Sequence, residues 1–228
     1  MKTAVVAMLA IAGSASADFT SIDRSDYTIY TNVTATPVGV DSAQRGVGAT
    51  VYSNMTSDVE GFFSVGSGPA DGDGAPTAIS FDDYQSIAPG GGLMSEFQFV
   101  GGVDTVGGVM FFDLFDAGGA FVDGFGVALP SAGNFIWTIN ITNNDIAFAG
   151  SGFVQTSVDD DGAFGPATGG SWFLTADDAT VGDNLASAGF SSPAGADLNH
   201  AFQINAIPAP ASAALLGLGG LAAARRRR

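Results

Sequence analysis

Cysteine is absent from this 228-residue chain, so no disulfide staples the fold and no thiolate holds a metal. Lysine occurs once, as Lys2, and histidine once, as His200. Ser-His-Asp chemistry needs a base that titrates near neutrality. His200 stands alone in Asp197-Leu198-Asn199-His200, with no Gly-x-Ser-x-Gly elbow in the chain, and it reads as a surface or structurally satisfied histidine. Glutamate is also scarce, only Glu60 and Glu96 standing among the 23 acidic residues. Aspartate suits turns and caps, whereas glutamate and lysine suit helix interiors, so helices are not expected to dominate.

Positive charge is confined to the ends. Of seven basic residues, Lys2 and Arg225, Arg226, Arg227 and Arg228 lie at the termini, and all 23 acids lie between Asp18 and Asp197. The intervening body keeps only Arg24 and Arg45, which leaves it at −21. Such a surface repels phosphate backbones and excludes nucleic acid as a partner. The abundance of Phe, Val and Ile argues against the disorder that such an imbalance otherwise signals.

The chain contains 33 glycines and 18 phenylalanines, a mixture that fits short strands joined by turns. Phe135 to Thr142 alternates cleanly, with Phe135, Trp137, Ile139 and Ile141 on one side. Tyr27 to Val33 alternates similarly. Weaker strand signals fall at Val47 to Tyr52, Phe62 to Val65, Thr77 to Phe81, Phe97 to Val100, Val109 to Phe115, Ala120 to Val127, Ile146 to Ala149, Gly152 to Thr156, Trp172 to Thr175 and Ala201 to Asn205. Asp-Gly pairs at Asp71-Gly72, Asp73-Gly74, Asp123-Gly124 and Asp161-Gly162 predict turns. The expected fold is all-β, a single antiparallel β-sandwich domain of jelly-roll-like form over 18–205. A barrel is the alternative, and Gly66 to Pro76 reads as a long surface loop.

The ends read as signals outside that domain. Met1 to Ala17 has a basic start, a short apolar run and the small residues Ala15 and Ala17 before a cleavage point, which predicts a signal peptide over 1–17. Residues 206–228 carry Pro208-Ala209-Pro210, then the apolar run Ala211 to Ala224, then the four arginines. The prolines set the run apart. As a helix it would rise about 21 Å, a marginal membrane span with its arginines on the cytoplasmic side. This tripartite tail resembles the PEP-CTERM sorting signal of Gram-negative, planctomycete-like bacteria, with Ala209 where the family has glutamate. The resemblance implies export, a precursor tethered to the inner membrane through its C-terminal helix, an exosortase-type membrane protease as partner, and release or attachment at the cell surface among extracellular polysaccharide.

Candidate chemistry in the body is sparse. Glycosidase action needs two carboxylates about 5 to 10 Å apart, which a chain so rich in acid always offers. Calcium favours carboxylates on turns, which nominates Asp71 and Asp73 in one loop and Asp159 and Asp161 in another, neither closed by the glutamate of an EF-hand. Trp137 reads as core. Trp172, following Gly169-Gly170-Ser171, is a candidate loop platform for sugar. The expectation is an exported surface or matrix protein without catalytic activity, with a calcium-assisted carbohydrate-binding module as the alternative.

Overall fold

Strand-length alternation drives one set of side chains from each segment toward a common core. The computed structural model describes residues 22–38, 48–55, 61–65, 80–143, 145–175, 178–184 and 199–207, and these hold fourteen strands and no helix. In chain order they are β1 (Ile29–Tyr30), β2 (Val33–Thr36), β3 (Ala49–Ser53), β4 (Gly61–Val65), β5 (Ser80–Gln85), β6 (Gly92–Val103) and β7 (Val109–Asp116). There follow β8 (Phe121–Ala128), β9 (Gly133–Asn140), β10 (Ala147–Phe148), β11 (Ser151–Val158), β12 (Gly170–Thr175), β13 (Asn199–His200) and β14 (Phe202–Ala206).

Two sheets result. One has the order β1-β8-β7-β11-β5. The other has nine strands: β6 pairs with β9 along one edge and with β12 and β14 along the other, and β2, β3, β4, β10 and β13 extend it. The chain crosses repeatedly between them, as a wrapped sandwich requires. The expected all-β sandwich is what forms, with one departure from antiparallel pairing: β1 runs parallel to β8, with Ile29 opposite Gly126 and Tyr30 opposite Val127. Tyr27 to Val33 is also not one strand. It divides at Thr31-Asn32, sending β1 to the five-stranded sheet and β2 to the nine-stranded one.

The core lies between the sheets. β6 contributes Phe97 and Phe99, β7 Met110, Phe112 and Leu114, β8 Phe125, and β9 Trp137 and Ile139, all fully buried. Phe112 is the hub, its ring centroid 4.8 Å from those of Phe97 and Phe99 and stacked on Phe125 at 5.5 Å. Each such burial is worth roughly 1.5–3 kcal/mol. Trp137 is core, as its alternation implies, and its Nε1 donates to the Gly101 carbonyl at 2.9 Å.

The Asp-Gly turn signals are met unevenly. Gly162 adopts φ +79° in a turn after β11. Asp123-Gly124 instead sits inside β8, where a register shift between Leu114 and Phe115 marks a bulge. Asp71-Gly72 and Asp73-Gly74, with the Gly66 to Pro76 loop, lie outside the described residues, as do the signal and tail residues Ala15, Ala17, Pro208, Ala209, Pro210 and Arg225 to Arg228. Among the described residues no helix is long and apolar enough to cross a membrane.

Candidate functional site

The outer face of the five-stranded sheet carries a buried charge. Because Phe112 and Leu114 point to the core, β7 alternation places Phe111, Asp113 and Phe115 on the outside. Residues 22–30 cross this face as a strap. Ile22, like Phe81, packs against the Phe115 and Phe153 cluster. Arg24 Nη2 donates to Asp113 Oδ2 at 2.5 Å, Tyr27 Oη to Asp113 Oδ1 at 2.7 Å, and Gln155 Nε2 to Asp113 Oδ2 at 2.9 Å. The Asp113 side chain is 0% exposed, and the Arg24 guanidinium also lies 5.0 Å from the Phe111 ring centroid. Burial and the neighbouring Asp113 carboxylate push the Tyr27 hydroxyl far above its ordinary range.

A second buried group joins the two sheets. Asp82, on the inward side of β5, accepts from the backbone N–H of Asp83 at 3.0 Å and of His200 at 2.7 Å. Asn54 spans the β13–β14 junction, donating to the His200 carbonyl at 2.7 Å and accepting from the Phe202 N–H at 2.8 Å. The His200 ring stacks on Trp172 at 4.0 Å and 11°. Burial raises the Asp82 carboxyl well above the usual range, with the charge of Asp83 adding to it. Burial lowers His200 to about 3, so it is neutral where a general base would have to titrate. His200 is therefore a buried structural residue. Trp172 is corrected: it is fully buried on β12 and faces the core, because the residues preceding it begin a strand that pairs with β6 and β4 instead of forming a loop.

The turn after β11 is organised by Asp159. Its carboxylate accepts from the backbone N–H groups of Ala163 at 3.0 Å and of Phe164 and Gly165 at 2.8 Å, and Asp161 Oδ1 also accepts from Ala163 at 3.1 Å. These bonds order the turn and bring the Asp159 and Asp161 carboxylates to the same backbone N–H of Ala163. Asp71 and Asp73, the other nominated pair, are outside the described residues, and among the described residues no group of three or more His, Cys, Asp or Glu side chains is placed to hold a metal.

The remaining concentration of polar chemistry is on the outer face of the nine-stranded sheet. Since Phe97 and Phe99 face the core, Glu96 and Gln98 face outward, beside Asn205 and Gln203 of β14. Gln98 Nε2 and Asn205 Nδ2 both donate to Glu96 Oε1, at 2.9 and 2.6 Å, and Gln203 Nε2 donates to Asn205 Oδ1 at 3.1 Å. Burial raises the Glu96 carboxyl. The row continues on β9 through Asn140 and Thr138, the register partners of Glu96 and Gln98. Beyond it lies an apolar patch of Val100, Ile136 and Ala201 with Phe173 and Met55. Phe62, 57% exposed, packs on Phe173 with centroids 5.5 Å apart. Glu96, Gln98, Gln203 and Asn205 are themselves buried, and Phe62 is the exposed group of this face.

Sequence reasoning nominated neither Asp113 nor the Glu96 row as a site. Asp113 could have been found as the lone acid in Val109-Met110-Phe111-Phe112-Asp113-Leu114-Phe115. Arg24 could have been found as one of the body's two cations. The curated proteins, family models and solved structures with which the chain was compared include none that matches it.

Proposed function

We propose that this chain is an exported surface or matrix protein with no catalytic role, its acidic β-sandwich carried by the 1–17 signal and sorted through the 206–228 tail. The tail's Pro208-Ala209-Pro210, apolar run and arginine cluster, read with the signal, support export and exosortase-type processing. The observation that carries the non-catalytic reading is where the body's buried ionisable groups are spent. Asp113 holds the strap, Asp82 holds the β13 backbone, Asp159 caps a turn, and His200 lies neutral against Trp172. These groups are anchors. Mass spectrometry of the mature protein's two ends, with fractionation of the cells that make it, tests the reading. Cleavage after Ala17 and processing near Pro208 to Pro210 is expected, whereas a full-length cytoplasmic chain with both ends intact would refute it.

A second reading, binding of extracellular polysaccharide, is favoured by the exposed Phe62 packed on Phe173 on the outer face of the nine-stranded sheet. Glycan-array binding that is lost in Phe62→Ala supports it, and arrays on which the folded protein retains nothing reject it. Calcium assistance through Asp71 and Asp73 or Asp159 and Asp161 belongs to the same reading. Calorimetry on the folded protein should then show a heat of binding that chelator abolishes.

A further inference from the structure

The strap is keyed to its groove more closely than a covering segment needs to be. Its residues meet the sheet at three matched points. Arg24 meets Asp113. Tyr27 lies on Gly124, where an added Cβ would come within 2.2 Å of the phenolic oxygen, and Ile29 lies on Gly126, where an added Cβ would come within 2.3 Å of Cδ1. The two glycines open a trough along β8 that only a strand with these spacings fills. The groove itself is built without the strap, by β5, β7, β8 and β11, which pair in the order β8-β7-β11-β5 through antiparallel ladders, the β7–β8 ladder carrying the bulge.

The strap also reaches the main core, where Tyr30 is buried against Phe125 with centroids 5.9 Å apart and its hydroxyl donates to Asp145 Oδ1 at 2.9 Å. The strap's other contacts are likewise to residues 81–155, far along the chain, through the Phe81, Phe115 and Phe153 cluster, Asp113, Phe111, and the parallel bridge to β8. Only Thr31 and Asn32 join β1 to β2. The strap's β1 precedes every other described strand, so among the described residues nothing has to be threaded for it to leave its groove. An emptied groove exposes aromatic surface and a carboxylate that has lost its cation, a state costly enough to favour any matching strand. The matching strand available is that of another copy.

We propose that the strap is exchanged between copies of this chain, Arg24, Tyr27 and Ile29 of one copy seating on Asp113, Gly124 and Gly126 of a second. A short hinge is the feature that favours exchange over closure within one copy. The reading is independent of export and sorting. Because 23 acids stand against two cations between Asp18 and Asn205, copies repel one another at low ionic strength, and exchange rises with added salt while the buried pair is screened little.

Charge reversal tests it. R24D spoils the strap and spares the groove, and D113R does the reverse. When the two purified variants are unfolded and refolded together, exchange restores an opposite-charge pair in both grooves only in the mixed dimer. Native mass spectrometry should then find the heterodimer, and its melting transition should lie above that of either parent. A mixture that stays monomeric and melts as its two parents overturns the proposal. If a variant fails to fold alone, the unsubstituted protein carries the test. Its dimer fraction at high salt and high concentration should fall when a short Gly/Ser segment is inserted between Thr31 and Asn32, since a longer hinge lets the strap close on its own groove. A dimer fraction of zero, or one indifferent to the insertion, overturns it equally.

Discussion

Arg24 and Asp113 meet across 89 positions of sequence, the guanidinium Nη2 at 2.5 Å from a carboxylate with no exposed surface. That pair ties the N-terminal strap to the middle of the five-stranded sheet. Removing one partner leaves the other desolvated without a counter-charge, and a broken buried pair costs about 3–5 kcal/mol. Arg24→Ala should therefore destabilise strongly. Arg24→Met with Asp113→Leu together should cost less than the two single changes summed, because no uncompensated charge is left, although Tyr27 Oη and Gln155 Nε2 still lose their acceptor. Urea unfolding of the two single variants and the double variant checks this, and a double-variant cost equal to the sum of the singles would count against it.

Gly124 should couple to Tyr27. An alanine methyl at 124 comes within 2.2 to 2.8 Å of the Tyr27 ring and hydroxyl, so Gly124→Ala must push the ring away and break its 2.7 Å bond to Asp113. A loss of roughly 1–3 kcal/mol is expected for crowding of this kind. With Tyr27→Ser the methyl has room, so the double-variant cost should fall below the sum of the singles. Additive costs in the thermodynamic cycle would show that the two residues do not press on each other.

Asp159 is predicted to act as a loop cap. Asp159→Ala leaves the N–H groups of Ala163, Phe164 and Gly165 without their acceptor, and losing buried acceptors costs about 1–3 kcal/mol. Asp159→Asn should recover part of that through its one remaining carbonyl oxygen. The loss should be the same with chelator as with added calcium. A destabilisation seen only in calcium would reassign the carboxylate to a metal.

Much of the fold was legible because alternation is a local signal. Phe135 to Thr142, Val109 to Phe115 and Trp172 to Thr175 all became strands near their expected positions, and Trp137 took the core side its neighbours dictate. What failed was whatever depended on partners distant in sequence. Trp172 looked like a loop residue because glycines precede it, yet β4 and β6 make Gly170 and Ser171 part of a sheet. Asp123-Gly124 has the composition of a turn, but Gly124 is needed there for room under Tyr27. His200 gave no sign of burial, since its Trp172 partner lies 28 positions away. A buried Asp113 is visible in sequence only as an acid among phenylalanines, and its partner only as a rare arginine.

The pH dependence of stability follows from Asp82 and His200, which pull in opposite directions. His200 has its folded pKa lowered by burial to about 3, against about 6.5 in an unfolded chain. Below pH 6.5 the unfolded state takes up a proton that the native state refuses. Stability attributable to this group is then lost as pH falls from about 6.5 toward 3, at up to about 1.4 kcal/mol per unit. Asp82 has its folded pKa raised by burial, so the native state keeps a proton that the unfolded chain releases above about 3.9. Its contribution is fully present below that pH and is lost as pH rises through the folded pKa. Above about pH 4 and below 6.5, for as long as folded Asp82 keeps its proton, the two slopes oppose each other, and the unsubstituted protein should show a muted dependence there. Each single variant uncovers the other's slope. His200→Phe, which keeps a ring for Trp172 to stack on, should gain on the parent as pH falls through that window. Asp82→Asn should gain on the parent as pH rises through it. Urea midpoints at several pH values decide the matter, and differences from the parent that stay flat with pH would mean that neither group changes protonation on unfolding.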